Sequence, residues 1–180
     1  MRENRVTTNL ESIMSELTIL GYKELPVEHK KQLGIISTFV FASLEGNIAT
    51  VKMINKDCVK WSLKYRNVSP MSKGGNKLEY RVTIEDKTHA IHKLVALTFP
   101  EFAGKWEYNM DVHHLNGKHL DNRPTNLICL DRQLHNKLHS LLDEADDLDL
   151  MLSKINTYLF ECRLYDEEIT IEGLEELVYG

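Results

Sequence analysis

Several features that classify a chain quickly are missing from this one. Its three cysteines, Cys58, Cys129 and Cys162, are far apart, odd in number and without a Cys-x-x-Cys pair. That spacing excludes a disulfide scaffold and a thiolate zinc cage, and fits a reducing cytoplasm. No apolar run approaches the roughly 20 residues needed to span a bilayer. The longest, residues 35–42, is interrupted by Ser37 and Thr38, so no membrane partner is expected. The first residues, MRENRVTTNL, lack the apolar core of a secretory signal. There is no internal repeat and no low-complexity tract. What remains is 180 residues with 42% apolar content, enough for one ordinary core.

The charge is uneven. Residues 143–180 carry twelve acidic side chains against Lys154 and Arg163, a net of −10. Residues 1–142 carry fifteen acids and twenty bases, a net of +5. An overall −5 therefore hides a basic body and an acidic tail. The basic body is compatible with phosphate binding. The tail is a solvated helical extension, a surface for a protein partner, or a cover for the basic body.

Residues 9–22 place Leu10, Ile13, Met14, Leu17 and Leu20 at helical spacing, with Gly21 as a stop. Residues 35–42 are β-branched and aromatic and precede a Gly46-Asn47 turn, which suggests two strands. A buried helix over 28–44 is the alternative. Residues 59–66 and 78–85 alternate apolar and polar side chains without error, as half-buried strands do. Read as a hairpin, these strands carry Lys60, Lys64, Arg66 and Arg81 on polar faces that can meet phosphates. Residues 90–99 form a helix ended by Pro100, and helices follow Asp131, a candidate N-cap, and Thr170. The expected class is α+β with a mainly antiparallel middle.

Five of the eight histidines fall within residues 111–140, as an adjacent His113-His114 pair and a His135-x-x-x-His139 pair. Imidazole is the commonest protein metal ligand and the side chain best suited to proton transfer near neutral pH. Residues 111–115 and 126–130 can form two strands around a turn-rich loop. A helix from Asp131 then aligns His135 and His139 on one face. Packing the strands on that helix brings His113 to them, and three imidazoles leave positions open on one divalent ion. Adjacent strand residues point to opposite faces, so His114 takes a different task, that of general base. Asn126 would orient it, directly or through the loop. His119 reads as a surface residue or a DNA contact. Arg123 ranks above Lys118 for phosphate.

His-His…Asn…His-x-x-x-His, with the Asn116-Gly117 turn and the run 121–127, resembles the HNH endonucleases, whose strand–strand–helix metal finger hydrolyses phosphodiesters. Residues 80–84, together with His92 to Ala96 and Phe99, are similar to segments preceding the finger in phage-type homing and free-standing members. The resemblance implies catalytic His114 and Asn126, and one divalent ion (Mg, Mn, Zn or Ni) on His113, His135 and His139. It also implies a DNA substrate in a phage or bacterial host cell. The nucleic-acid contacts it suggests are Arg123, Lys118, His119, Lys64, Arg66 and Arg81. Phage homing relatives usually have Asp at position 113 and often Asn at 135, so the ligand set here is closer to nuclease toxins. The expected organisation is a helix and β-rich region (1–77), a nuclease domain (78–142) and an acidic tail (143–180). Cutting both strands with one site calls for sequential nicks or a homodimer. Two other readings stay open: a DNA-binding or packaging accessory protein with a structural zinc finger, and an RNA-directed nuclease or toxin.

Overall fold

The computed structural model describes residues 3–66, 70–72 and 78–179. Along the chain the elements are β1 (Arg5–Thr7), α1 (Leu10–Ile19), β2 (Tyr22–Glu24), α2 (Val27–Leu33), β3 (Thr38–Ser43), β4 (Ile48–Asn55) and β5 (Lys60–Tyr65). Next come β6 (Pro70–Ser72), β7 (Leu78–Ile84), β8 (Lys87–Ala90), α3 (Ile91–Thr98) and α4 (Pro100–Ala103). Then follow β9 (Met110–His114), a 3₁₀ turn (Pro124–Asn126), β10 (Leu127–Asp131), α5 (Arg132–Glu144), α6 (Leu148–Tyr165) and α7 (Ile171–Tyr179). The strands form antiparallel sheets ordered β1-β5-β4-β3-β2, β6-β7-β8 and β10-β9. The fold is α+β. Among the described residues no helix is long and apolar enough to cross a membrane.

Local chemistry explains the N-terminal layer. Asn9 caps α1 by accepting from the Ser12 amide at 3.0 Å, and Gly21, at φ +74°, allows the reversal into β2. The helix ends at Ile19 with Leu20 as its cap, next to the expected Gly21 stop, and Tyr22 then pairs with Ser43. Ile13 and Leu17 bury completely against Tyr22, Phe41, Ala49, Val51 and Leu63. The helical alternative over 28–44 fails after Leu33: Gly34 adopts φ +71° and the β-branched run enters the sheet.

One expected pairing is absent. Residues 59–66 and 78–85 do form strands, but not a hairpin with each other. Both edges of β5 are taken, by β1 and β4, and β7 lies between β6 and β8. Alternation shows that a segment is half buried; it carries no information about which strand lies beside it.

Helix α3 is the hub. Ile91, Leu94, Val95, Ala96 and Leu97 are all buried, so the helix is covered on more than one side. It packs on β3, on β7–β8 and on the β9–β10 pair. The same core includes Val40, Ala42 and Ile48 from the large sheet, Val82 and Ile84 from β7, and Leu127 and Cys129 from β10. Cys129 is 9% exposed, as its place on a strand predicted.

The acidic tail is not a solvated extension. Ile155, Leu159 and Leu174 enter one core with Ile128, Leu130, Leu138 and Leu141. Lys137 adds an ion pair to Glu175 at 2.5 Å. The acids face water while the apolar stripe closes the back of the finger, the usual division on an amphipathic helix.

Candidate metal and nuclease site

Strands β9 and β10 pair with His113 opposite Ile128 and His114 opposite Leu127. The loop between them is closed by its own polar groups. The Asn126 carboxamide oxygen accepts from the Asn116 amide at 3.0 Å, and its nitrogen donates to the Asp121 carbonyl at 2.8 Å. Asn116 donates to the Asp121 carboxylate at 2.9 Å, and Gly117, at φ +68°, turns the chain back with its amide on the His114 carbonyl. Asp131 then caps α5, accepting from the Gln133 amide at 2.7 Å. Burial of Leu138 and Leu141 fixes the rotation of that helix, so His135 and His139 face β9.

The three histidines expected to share an ion come together. Their ring centroids lie 4.6 Å apart for His135–His139, 5.0 Å for His113–His139 and 5.5 Å for His113–His135. One nitrogen from each lies within 4.8 Å of the others. His113 is 3% exposed, and its Nε2 is buried with no hydrogen-bond partner. A buried polar nitrogen without a partner is costly in a folded core, which fits a place where a cation binds. Burial, then the neighbouring His139 and His135, push the His113 pKa down to about 3. The ring is therefore neutral, the state a ligand requires. His135 Nδ1 lies 4.0 Å from the Asp111 carboxylate, which also accepts from Arg132 at 3.3 Å. Asp111 thus stands behind the ligand set, where a carboxylate can orient an imidazole.

His114 reaches the same cleft of about 410 Å³ as His113 and His139 but has different company. Its Nε2 lies 3.1 Å from Asn122 Oδ1. A carbonyl oxygen only accepts, so Nε2 carries the hydrogen and the lone pair lies on Nδ1. Burial lowers the His114 pKa, opposed by the Asn122 bond, so this ring is neutral too. The residue bonded to His114 is thus Asn122; Asn126 shapes the loop. Both lie in the run 121–127, and spacing alone does not separate them. The loop path decides.

His119 is half buried and lines this cleft, its ring 5.5 Å from that of His114. His92, which precedes the finger in the chain, has its ring 5.1 Å from that of His114. It reaches there because α3 crosses behind the finger. Leu142 and, from the start of the acidic tail, Asp143, Leu148 and Leu152 also line the cleft.

The expected phosphate contacts divide. Arg123 is exposed, but its Nε and Nη2 donate to Asp121 at 2.8 and 2.6 Å. That bond, helped by Asn116 and the Arg123 amide and opposed by burial, holds the Asp121 pKa at about 2. Lys118 is exposed on the loop, its amide on the Asn116 side chain. Arg81 pairs with the buried Glu79 on its own strand. Lys64 and Arg66 lie away from the histidines, along a separate cleft of the large sheet.

Residues 91–137 match the family model described as HNH endonuclease. That span runs from α3 through both strands to the first two turns of α5, and includes His113, His114, Asn122, Asn126 and His135. The chain is also similar to the solved structure titled "DNA binding and cleavage by the HNH homing endonuclease I-HmuI", at 23% identity and a TM-score of 0.34. That alignment covers 60% of this chain and 55% of the other, so the chain spans about half the length of that nuclease. No curated protein matches the chain.

Proposed function

We propose that the segment matching HNH endonucleases is a working nuclease centre that hydrolyses DNA phosphodiesters with one divalent ion. The observation that carries this is the pairing of two unlike imidazole environments in one cleft: a three-histidine cluster containing a buried, unbonded nitrogen, and a hydrogen-bonded neutral His114 beside it. His113, His135 and His139 would hold the ion, with Asp111 behind His135. When bound there, a divalent cation supplies Lewis-acid stabilisation of charge developing on the phosphoryl and leaving oxygens.

The remaining steps belong to the chain. Asn122 holds the hydrogen on His114 Nε2, so Nδ1 can take a proton from an attacking water. Asn126 and Asp121 keep the loop, and with it the His114 ring, in one position. His119, at the mouth of the cleft, can donate a hydrogen bond to a phosphate oxygen. The donor set is nitrogen-rich and suits Zn²⁺ or Ni²⁺ by affinity, while Mn²⁺ or Mg²⁺ serves where abundance decides.

Supercoiled plasmid incubated with Mg²⁺, Mn²⁺, Ni²⁺ or Zn²⁺ tests the proposal. Wild type should nick the plasmid and stop when EDTA is added, whereas His114→Ala should bind cation normally and fail to nick. A wild type that binds cation but never cuts would leave the finger as a structural metal module. Cleavage of RNA but not plasmid, run in parallel, would move the substrate to RNA.

A further inference from the structure

The large sheet has two unlike faces. One, carrying Phe39, Phe41, Val51, Leu63 and Tyr65, is sealed by α1. The other is sealed only in part, where Val40, Ala42 and Ile48 meet the core around α3. Beyond them the same face turns polar and opens into a cleft of about 130 Å³. Strand register sets its floor: Val40 pairs with Thr50, Thr50 with Lys64, and Lys52 with both Thr38 and Ser62.

We infer that this polar half-face is a second nucleic-acid contact, a groove in which Lys52, Lys64 and Arg66 hold backbone phosphates of duplex DNA. The register places Lys52 and Lys64 diagonally across two paired strands, on one face. Like charges so placed repel unless an anion lies between them. Neither lysine forms an ion pair with a described residue. Arg66 donates from Nη2 to the Thr83 carbonyl, a bond that aims its guanidinium without neutralising it. Glu85 also lines the cleft, but its oxygens accept from the Ile36 amide and from the Ser37 amide and hydroxyl at 2.7–2.9 Å. Between the cations, Thr50 and Ser62 bring hydroxyls to the floor, at 6% and 8% exposure. Cations without carboxylate partners over a floor of hydroxyls are what a phosphate backbone recognises.

The groove is mechanically tied to the finger. Thr83, Ile84 and Glu85 form its side, and β8 runs from that hairpin directly into α3. A duplex held there is held relative to the histidines. The choice of DNA as the polymer rests on the nuclease reading; the groove itself rests on the sheet.

The test is anisotropy of a short labelled duplex at low salt in EDTA, so that no cleavage contributes. Lys52→Ala/Lys64→Ala/Arg66→Ala should weaken binding about 10- to 100-fold and flatten the salt dependence by about two to three counterions. Lys52→Ala/Lys64→Ala, which leaves the Arg66–Thr83 bond in place, guards against a folding defect and should lose about two. Lys52→Arg/Lys64→Arg should bind like wild type. Unchanged affinity and slope in both alanine variants overturns the inference, even if the plasmid is cut. Displacement of the duplex by inorganic phosphate, at an ionic strength where chloride does not displace it, also overturns it in favour of a small-anion site. Lost binding in a protein that never cuts would uphold the groove and sink the nuclease reading alone.

Discussion

The two ends of the His113-His114 dipeptide show how one residue type is given two chemistries. On the His113 side the surroundings are two further imidazoles, His135 and His139, with deep burial and a nitrogen without a hydrogen bond. On the His114 side a loop of Asn116, Asp121, Asn122 and Asn126 makes hydrogen bonds throughout. The first environment withholds a partner from a lone pair; the second provides one and so decides which nitrogen carries the hydrogen. Both rings are neutral because both are buried. Two identical side chains thus stand in unlike surroundings, the division of labour that the proposed nuclease centre calls for.

The sharpest way to separate the two sides is to remove one ring from each. His114→Ala should reduce plasmid nicking by about 10²–10⁴-fold, with cation binding by titration calorimetry unchanged. His139→Ala should lose both. If the two variants behave alike, the division of labour is wrong.

A smaller effect is expected from the two asparagines. Asn122→Ala frees the His114 ring and should slow nicking by about 10- to 100-fold, with little change in melting temperature. Asn122→Asp keeps an acceptor and should recover part of the rate. Asn126→Ala leaves the Asn116 amide without its acceptor and should cost about 1–3 kcal/mol of stability, readable in urea unfolding. An Asn126→Ala that melts like wild type while Asn122→Ala unfolds would reverse these assignments.

Gly46 offers a remote handle on the His114 side. It sits at φ +78° in the β3–β4 turn, and a methyl group there would lie 2.6 Å from the Asn122 backbone carbonyl. Gly46→Ala should therefore destabilise by about 1–2 kcal/mol and lower nicking several-fold. Most of the activity loss should vanish in an Asn122→Ala background, because the Asn122–His114 bond that the displaced backbone disturbs is already absent there.

A pH dependence of stability is expected from the His113 side. Its folded pKa, about 3, lies below the 6.5 of an ordinary imidazole. The unfolded chain thus binds the additional proton first as pH falls. In the absence of cation, stability should be fully present above pH 6.5 and decline from there towards pH 3. His113→Gln should flatten that decline in urea titrations, and an unaltered slope would show that the ring is not held neutral by the fold.

Much of this site was legible in the chain. The His-His and His-x-x-x-His pairs, the turn residues between them and the Asp131 cap depend on spacing within about thirty residues, and local geometry translates spacing directly into place. The same holds for α1, α3 and most of the strands, whose period is a local property. Of the two ways Asn126 is expected to orient His114, directly or through the loop, its bonds run to the loop, and the side chain facing His114 is that of Asn122. The nearness of His92 to His114 is not legible in spacing, because only the crossing of α3 brings it there.

By itself, then, the sequence indicated most of the longer elements, the clustering of His113, His135 and His139, and the separate place of His114, because each is written in short-range periodicity. Tertiary structure alone decided which strands pair, what the acidic segment buries, and which asparagine meets His114. It also gathered Lys52, Lys64 and Arg66 on one half-open face. These depend on contacts between residues distant in the chain, where burial and strand register, rather than spacing, choose the neighbours.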